Sequence, residues 1–194
     1  MLLSILFKCL LGGLEVVFRN ESWNNTGDIV VYSNYHKYWL DRERHIKNPL
    51  FDVFSGKILD LKEGKESAVE YFFNLIDCEI CQDVTICVVP SSNADNTMTG
   101  MTLLGERLAR NGRIDKVHFI VRERSIEKLA TGGDRSKRIH MDSLGTLTGV
   151  DVLNDVILLM DDVTTTGNSL YACKEILLAA GAKNVEMFAL GKAI

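Results

Sequence analysis

Apolar residues occur either in short runs or at helical spacing along most of the chain. Strand-like runs, which suit strands buried in a parallel sheet, occupy residues 84–89, 116–121, 156–160 and 185–190. Helical spacing marks residues 63–76, 101–110 and 168–180, and glycines follow the last two. Strand and helix therefore alternate from about residue 84 onward. This order predicts a single α/β domain with a mostly parallel sheet flanked by helices.

The first 80 residues follow another pattern. Residues 14–18 and 28–32 are strand-like and are joined by Asn- and Gly-rich residues, so we expect an antiparallel hairpin at the start of the fold. We interpret residues 1–80 as a small N-terminal hood of the same domain, and residues 81–194 as its core. Residues 1–13 are apolar, but no positive charge precedes them and Lys8 interrupts them. We therefore expect a packed element there rather than a targeting or membrane segment.

Composition narrows the class of protein. A chain of 194 residues that is 46% hydrophobic suits one domain with a sizeable core. The net charge of −4 gives no general attraction to nucleic acid or to an anionic membrane, so neither is an expected partner. Five cysteines without a framework spacing favour a reducing cytoplasm, and Cys78 and Cys81 lack the second pair that a zinc site needs.

The most informative segment is residues 156–169, which read VILLMDDVTTTGNS. Ligands of open parallel sheets bind beyond the carboxyl ends of the strands, so Asp161 and Asp162 should meet a ligand and accept its hydrogen bonds. The turn that follows supplies hydroxyl and backbone N–H groups at the start of a helix, where an anion, most simply a phosphate, is favoured. Its residues are Thr164, Thr165, Thr166, Gly167, Asn168 and Ser169. Neither a Walker A loop nor a dinucleotide-binding G-x-G-x-x-G is present.

This segment resembles the phosphoribosyl-pyrophosphate (PRPP) signature of the type I phosphoribosyltransferases, in which a hydrophobic strand precedes two acidic residues and a T-G-x-[ST] loop. The resemblance implies the fold of that family. It also implies that Asp161 and Asp162, the expected catalytic residues, bind the ribose 2′- and 3′-hydroxyls, while residues 164–169 hold the 5′-phosphate.

The activity that the resemblance implies is transfer of the 5-phosphoribosyl group from PRPP to a nitrogen nucleophile, expected to be a nucleobase, with release of pyrophosphate. Mg²⁺ would bridge the pyrophosphate and the ribose, so no metal site made of protein ligands is predicted. A homodimer is left open.

Two further loops are expected to serve the same ligand. Ser91 and Ser92 follow the strand at 84–89, where the family places its pyrophosphate loop, although many relatives carry glycines there and a plain turn is the alternative. Residues 122–144 are basic, and the resemblance implies a lid whose cations cover the pyrophosphate; a solvated surface loop is the alternative. The lid residues expected to act are Arg122, Lys128 and Arg135. His140 is the one histidine worth testing.

The acceptor is not identified by these patterns. Residues 58–62 and the helix after them resemble the ComF group of phosphoribosyltransferase-like proteins, whereas residues 162–167 look more like orotate phosphoribosyltransferases. The chain matches neither throughout. Two alternatives to an enzyme therefore stay open: a non-catalytic PRPP-binding regulator, and a ComF-like protein associated with DNA uptake. No general base is evident.

Overall fold

The computed structural model of the protein describes residues 16–24, 28–126 and 137–194. Its central element is a five-stranded sheet in which all neighbouring strands run parallel. In spatial order the strands are β1 (Val30–Tyr35), β9 (Asn184–Ala193), β8 (Val156–Thr164), β4 (Thr85–Val88) and β5 (Ile114–Asp115). The predicted α/β class with a parallel sheet is confirmed.

Helices and two small ribbons surround this sheet. Within the described residues the α-helices are α1 (Val53–Lys62), α2 (Glu66–Ile76), α3 (Gly100–Arg110), α4 (Lys137–Ser143) and α5 (Asn168–Ala179). The antiparallel ribbons pair β2 (Trp39–Asp41) with β3 (Ile46–Lys47), and β6 (Ile120–Arg122) with β7 (Leu144–Thr146). Of these described helices, none has the length and apolar character needed to cross a membrane.

Helix starts are set by local hydrogen bonds. The Asp52 carboxylate accepts a bond of 2.7 Å from the Ser55 backbone N–H and caps α1. At α3, the hydroxyls of Thr99 and Thr102 accept from each other's backbone N–H groups, a reciprocal capping box. These caps satisfy N–H groups that the first turn of a helix leaves without a partner, so both helices begin where polar side chains precede apolar ones.

The core consists of two layers, one on each face of the sheet. On the first, which we call the hood face, α1, α2 and α3 pack their apolar side chains on Leu158 and Met160 of β8. On the second, which we call the loop face, α5 and the β6–β7 ribbon pack on Ile157 and Leu159. Successive strand residues point to opposite faces, so β8 contributes to both layers. This double burial accounts for the uninterrupted apolar run in its sequence.

The predicted N-terminal hairpin is wrong in its pairing. The strand expected at residues 28–32 forms as β1, but its partner is β9, in parallel, with Val30 opposite Phe188. In the described part of the other expected strand, Phe18 makes an isolated antiparallel bridge with Ile80; residues 14 and 15 lie outside the described residues. Both segments carry apolar side chains that suit a parallel partner as well as an antiparallel one. The local sequence pattern therefore could not indicate which strand each of them pairs with.

Three other predicted elements change in extent. The strand expected at residues 116–121 forms only at its end, as β6 (Ile120–Arg122) in the separate ribbon, whereas β5, at the edge of the main sheet, precedes the expected range. The helix expected at residues 63–76 begins at Glu66, and α1, which was not predicted, precedes it. The strand expected to end at Met160 continues to Thr164, because β9 goes on pairing with it as far as Lys192.

Candidate active site

A cavity of about 470 Å³ opens at the carboxyl ends of β4 and β8. On the β4 side of β8, pairing ends with Val88 opposite Met160, whereas on the β9 side it continues through the acidic residues. Asp161 and Asp162 therefore lie on a stretch of strand that has a neighbour on one side and the cavity on the other. The cavity is lined by Lys62, Val89, Pro90, Ser91, Ser92, Asn96, Thr99, Gly100, Met101, Arg122, His140 and residues 161–169.

The two carboxylates make different contacts. Asp161 accepts a hydrogen bond of 3.2 Å from the Ser169 hydroxyl, at the start of α5, and one of 2.8 Å from the Asp162 backbone N–H. Asp162 accepts from the Lys62 ammonium at 3.0 Å, which belongs to α1 on the hood face. One carboxylate is thus joined to the start of α5 and the other to the hood. Together they present two acceptors to the cavity, the arrangement that a sugar diol needs.

Burial dominates the electrostatics of this pair. Desolvation, with the neighbouring Asp162 charge as a second cause, raises the pKa of Asp161 to about 7; Lys62, the Asp162 N–H and the Ser169 hydroxyl act in the opposite direction. A ligand that donates hydrogen bonds to Asp161 would favour its ionised form.

The turn after β8, residues 164–169, which we call the anion turn after the role expected for it, brings hydroxyl and backbone N–H groups to the cavity. Gly167 has φ +80°, in the left-handed region that favours glycine, and α5 begins directly after it. A Cβ at this position would lie 2.5 Å from the Ile29 Cδ1 atom and 2.9 Å from the Tyr171 ring, so both side chains would have to shift to admit one. Thr165 and Thr166 are exposed at the cavity, while Gly167 is buried beneath them. The first N–H groups of α5 and these hydroxyls therefore face the same space.

Thr164 ends the strand with a buried side chain that lines the cavity. Its exposed fraction is 5%, and its hydroxyl has no hydrogen-bond partner among the described residues. Leaving a buried hydroxyl without a partner costs about 1–3 kcal/mol. A phosphate oxygen at the mouth of this turn would supply the missing acceptor.

The loop after β4 is held by residues of β6 and of the segment that follows it. The Ser91 carbonyl accepts from the Arg122 guanidinium at 3.0 Å, and the Ser92 carbonyl accepts from the Ile126 N–H at 2.9 Å. The Arg122 guanidinium also donates to the Ser143 hydroxyl at the end of α4, at 2.5 Å. Arg122 is buried and thus joins three segments of the wall. With their carbonyls engaged by neighbours, Ser91 and Ser92 keep a defined backbone beside the cavity.

The structure places the expected lid residues in different environments. Arg122 lies on β6 at the base of the segment, and Lys128 and Arg135 lie outside the described residues. The last part of the segment, expected to lack regular structure, forms α4 and β7. His140 of α4 is buried and lines the same cavity as Arg122 and the turn after β8.

Sequence reasoning missed the hood side of the cavity. Lys62, Thr99, Gly100 and Met101 line it, and none had been assigned a role. Gly100 allows the first turn of α3 to approach the end of α1, because a Cβ there would overlap the Leu61 carbonyl oxygen. The capping signal at Thr99 was visible in the sequence, but the contact of Lys62 with a residue 100 positions later was not.

A metal site made by the chain itself is not apparent in the part that the structure describes. No group of three or more His, Cys, Asp or Glu side chains is placed there to hold a metal ion.

Comparisons with known proteins add little to this geometry. No protein-family model matches the chain, and no curated protein does. Among solved structures, a crystal structure described as purine phosphoribosyltransferase from Pyrococcus horikoshii Ot3 matches 73% of this chain and 86% of that one, with 17% identity and a TM-score of 0.37. A likeness at this level does not establish a shared fold or function.

Proposed function

We propose that the protein binds PRPP with Mg²⁺ and transfers its 5-phosphoribosyl group to a nitrogen of a nucleobase-like acceptor, releasing pyrophosphate. The observation that carries this proposal is the meeting, in one cavity, of two adjacent carboxylates with a glycine-dependent anion turn. The Ser169 hydroxyl, which opens α5, donates to Asp161, so the diol site and the phosphate site share an atom contact. A sugar 5-phosphate needs both sites at this short separation.

We assign each part of PRPP to groups that line the cavity. Residues 164–169 would receive the 5′-phosphate through α5 N–H groups and hydroxyls. Asp161 and Asp162 would accept from the ribose hydroxyls. The pyrophosphate at C1 would then lie toward the Ser91–Ser92 backbone and the wall that contains Arg122 and His140. Each placement uses groups that line the same 470 Å³ cavity.

In the reaction, the bond between C1 and the pyrophosphate oxygen breaks and a bond from C1 to the acceptor nitrogen forms. Positive charge develops at the ribose as the leaving group departs, and the carboxyl oxygens of Asp161 and Asp162 would stabilise it at close range. The chain's main contribution is positioning: a held phosphate and a held diol restrict C1 to one orientation toward the acceptor. Mg²⁺ bound with PRPP would neutralise the charge that develops on the leaving group.

The test is pyrophosphate release from PRPP and Mg²⁺ with a panel of purine and pyrimidine bases. At least one base should support turnover by the unaltered protein. Asp162→Asn and Asp161→Asn should each weaken PRPP binding roughly ten- to a hundredfold in calorimetry, since hydrogen bonds to a charged partner contribute about 1.5–3 kcal/mol. Equal PRPP affinity in all three proteins would overturn the ribose assignment. Binding without turnover for any base would favour a PRPP-binding regulator.

A further inference from the structure

Lys62 is a cation at the cavity that the proposed reaction has not used. It is the last residue of α1, and its ammonium donates to Asp162 at 3.0 Å while 40% of its side chain stays exposed. Its backbone position is set by the close approach of Leu61 to Gly100, which locks the end of α1 against the start of α3. Lys62 therefore reaches the site from a firmly packed element.

The two faces of the sheet divide the cavity into two walls. The wall on the loop face contains the anion turn, Arg122 and His140, which the proposed function assigns to the phosphate and the pyrophosphate. The wall on the hood face contains Lys62, Thr99, Gly100 and Met101, and no part of PRPP has been assigned to it. The acceptor must approach C1 along a part of the cavity surface that PRPP does not cover. The hood-face wall is such a surface.

The charge on this wall is a single ammonium. Desolvation lowers the pKa of Lys62, but the carboxylates of Asp162 and Asp161 outweigh it, and the net shift is upward. Lys62 is thus charged at neutral pH. An ammonium has three donors, and Asp162 takes one of them, which leaves donors for a ligand beside the ribose. Met101 and Thr99 on the same wall offer an apolar contact and a hydroxyl, which suit a flat, partly polar ring.

We propose, as an extension of the proposed function, that Lys62 is a specificity residue and that the acceptor carries a negatively charged substituent, such as a ring carboxylate, which the Lys62 ammonium binds. The same contact with Asp162 would orient Lys62 toward the ribose, so that acceptor and sugar are recognised by neighbouring groups.

Products provide a test that needs no turnover, because a nucleoside 5′-monophosphate carries phosphate, ribose and base in one molecule. The probes are two matched pairs that differ in the negative charge on the base: orotidine 5′-monophosphate against uridine 5′-monophosphate, and nicotinate against nicotinamide mononucleotide. In calorimetry, the unaltered protein should bind the carboxylated member of at least one pair tenfold or more tightly. Lys62→Met should reduce that preference roughly ten- to a hundredfold, and Lys62→Arg should restore much of it.

Lys65→Met is the matched control. Lys65 lies three residues further on and pairs with Asp60 and Glu63 away from the cavity, so its loss makes the same charge change and should leave the preference intact. Equal binding of both members of each pair, or equal weakening of both by Lys62→Met, would overturn the role of Lys62 while the proposed function stands. If the unaltered protein binds neither PRPP nor any of these nucleotides, the proposed function itself fails and the acceptor assignment falls with it.

Discussion

At the scale of single residues, the raised pKa of Asp161 makes the stability of the protein depend on pH. Asp161 lies beside Asp162 in a half-buried position, and its pKa is raised from 3.8 to about 7. A carboxyl whose pKa is higher in the folded state makes the fold more stable at low pH. That contribution is present below about 4 and is lost as the pH rises toward 7, because the folded state holds a proton that the unfolded state has released.

Asp161→Asn should therefore stabilise the ligand-free protein at pH 8 while it weakens PRPP binding. We expect a gain of up to about 4 kcal/mol at pH 8, since each unit of pKa corresponds to about 1.4 kcal/mol, and little gain at pH 4, measured by denaturant unfolding at both values. Asp95→Asn, which makes the same charge change in an exposed loop, is the control and should show no such difference. If the stabilities of Asp161→Asn and of the unaltered protein change in parallel from pH 4 to pH 8, the raised pKa of Asp161 is contradicted.

At the scale of elements, the anion turn depends on one glycine. Gly167 and Gly64 both have positive φ, +80° and +73°, but a Cβ meets Ile29 and Tyr171 at Gly167 and nothing within 4 Å at Gly64. Gly64→Ala should cost about 1–2 kcal/mol, the strain of the left-handed region alone. Gly167→Ala should cost more, by roughly 1–3 kcal/mol of overpacking, and should also abolish tight PRPP binding.

Denaturant unfolding of both glycine variants, with calorimetry of PRPP, checks this comparison. Gly64→Ala should keep the PRPP affinity of the unaltered protein, because Gly64 follows α1 outside the cavity. The proposed role of the turn would be contradicted by equal losses of stability in the two variants together with unchanged PRPP binding in Gly167→Ala.

The elements of the core could be predicted because their information is local. Three of the four buried residues of β4, 86–88, form an apolar run, and α3 has its cap and its helical spacing within a dozen residues. The acidic pair and the anion turn were recognised for the same reason, since residues 161–169 are consecutive. Partners distant in the chain could not be predicted. The pairing of β1 with β9, the division of residues 114–122 between two sheets and the contact of Lys62 with Asp162 each depend on packing that no local pattern records.

At the scale of the whole molecule, β9 holds the sheet together. It lies between β1 and β8 and buries four large apolar side chains, Val185, Met187, Phe188 and Leu190. Burying each contributes roughly 1.5–3 kcal/mol, so their sum approaches the total stability of about 5–15 kcal/mol that a domain has. The strand is therefore not an optional addition to the core.

A chain shortened to residues 1–183 should lose its cooperative folding. Without β9, both β1 and one edge of β8 lack their partner, and thermal unfolding followed by circular dichroism should show no sharp transition. Removal of Ile194 alone is the control, because that residue is 64% exposed and lies beyond the strand. A sharp transition in the 1–183 chain would show that the sheet forms without β9.

The pairing of β1 with β9 also has a consequence for the newly made chain. A ribosome that adds about 5–20 residues per second takes roughly 8–30 s to pass from the first of these strands to the second. Throughout that interval β1 has been synthesised and its sheet partner has not. Such an exposed strand is open to aggregation with other nascent chains. Cellular yield should therefore depend on chaperone supply more strongly than the stability of the finished fold would suggest.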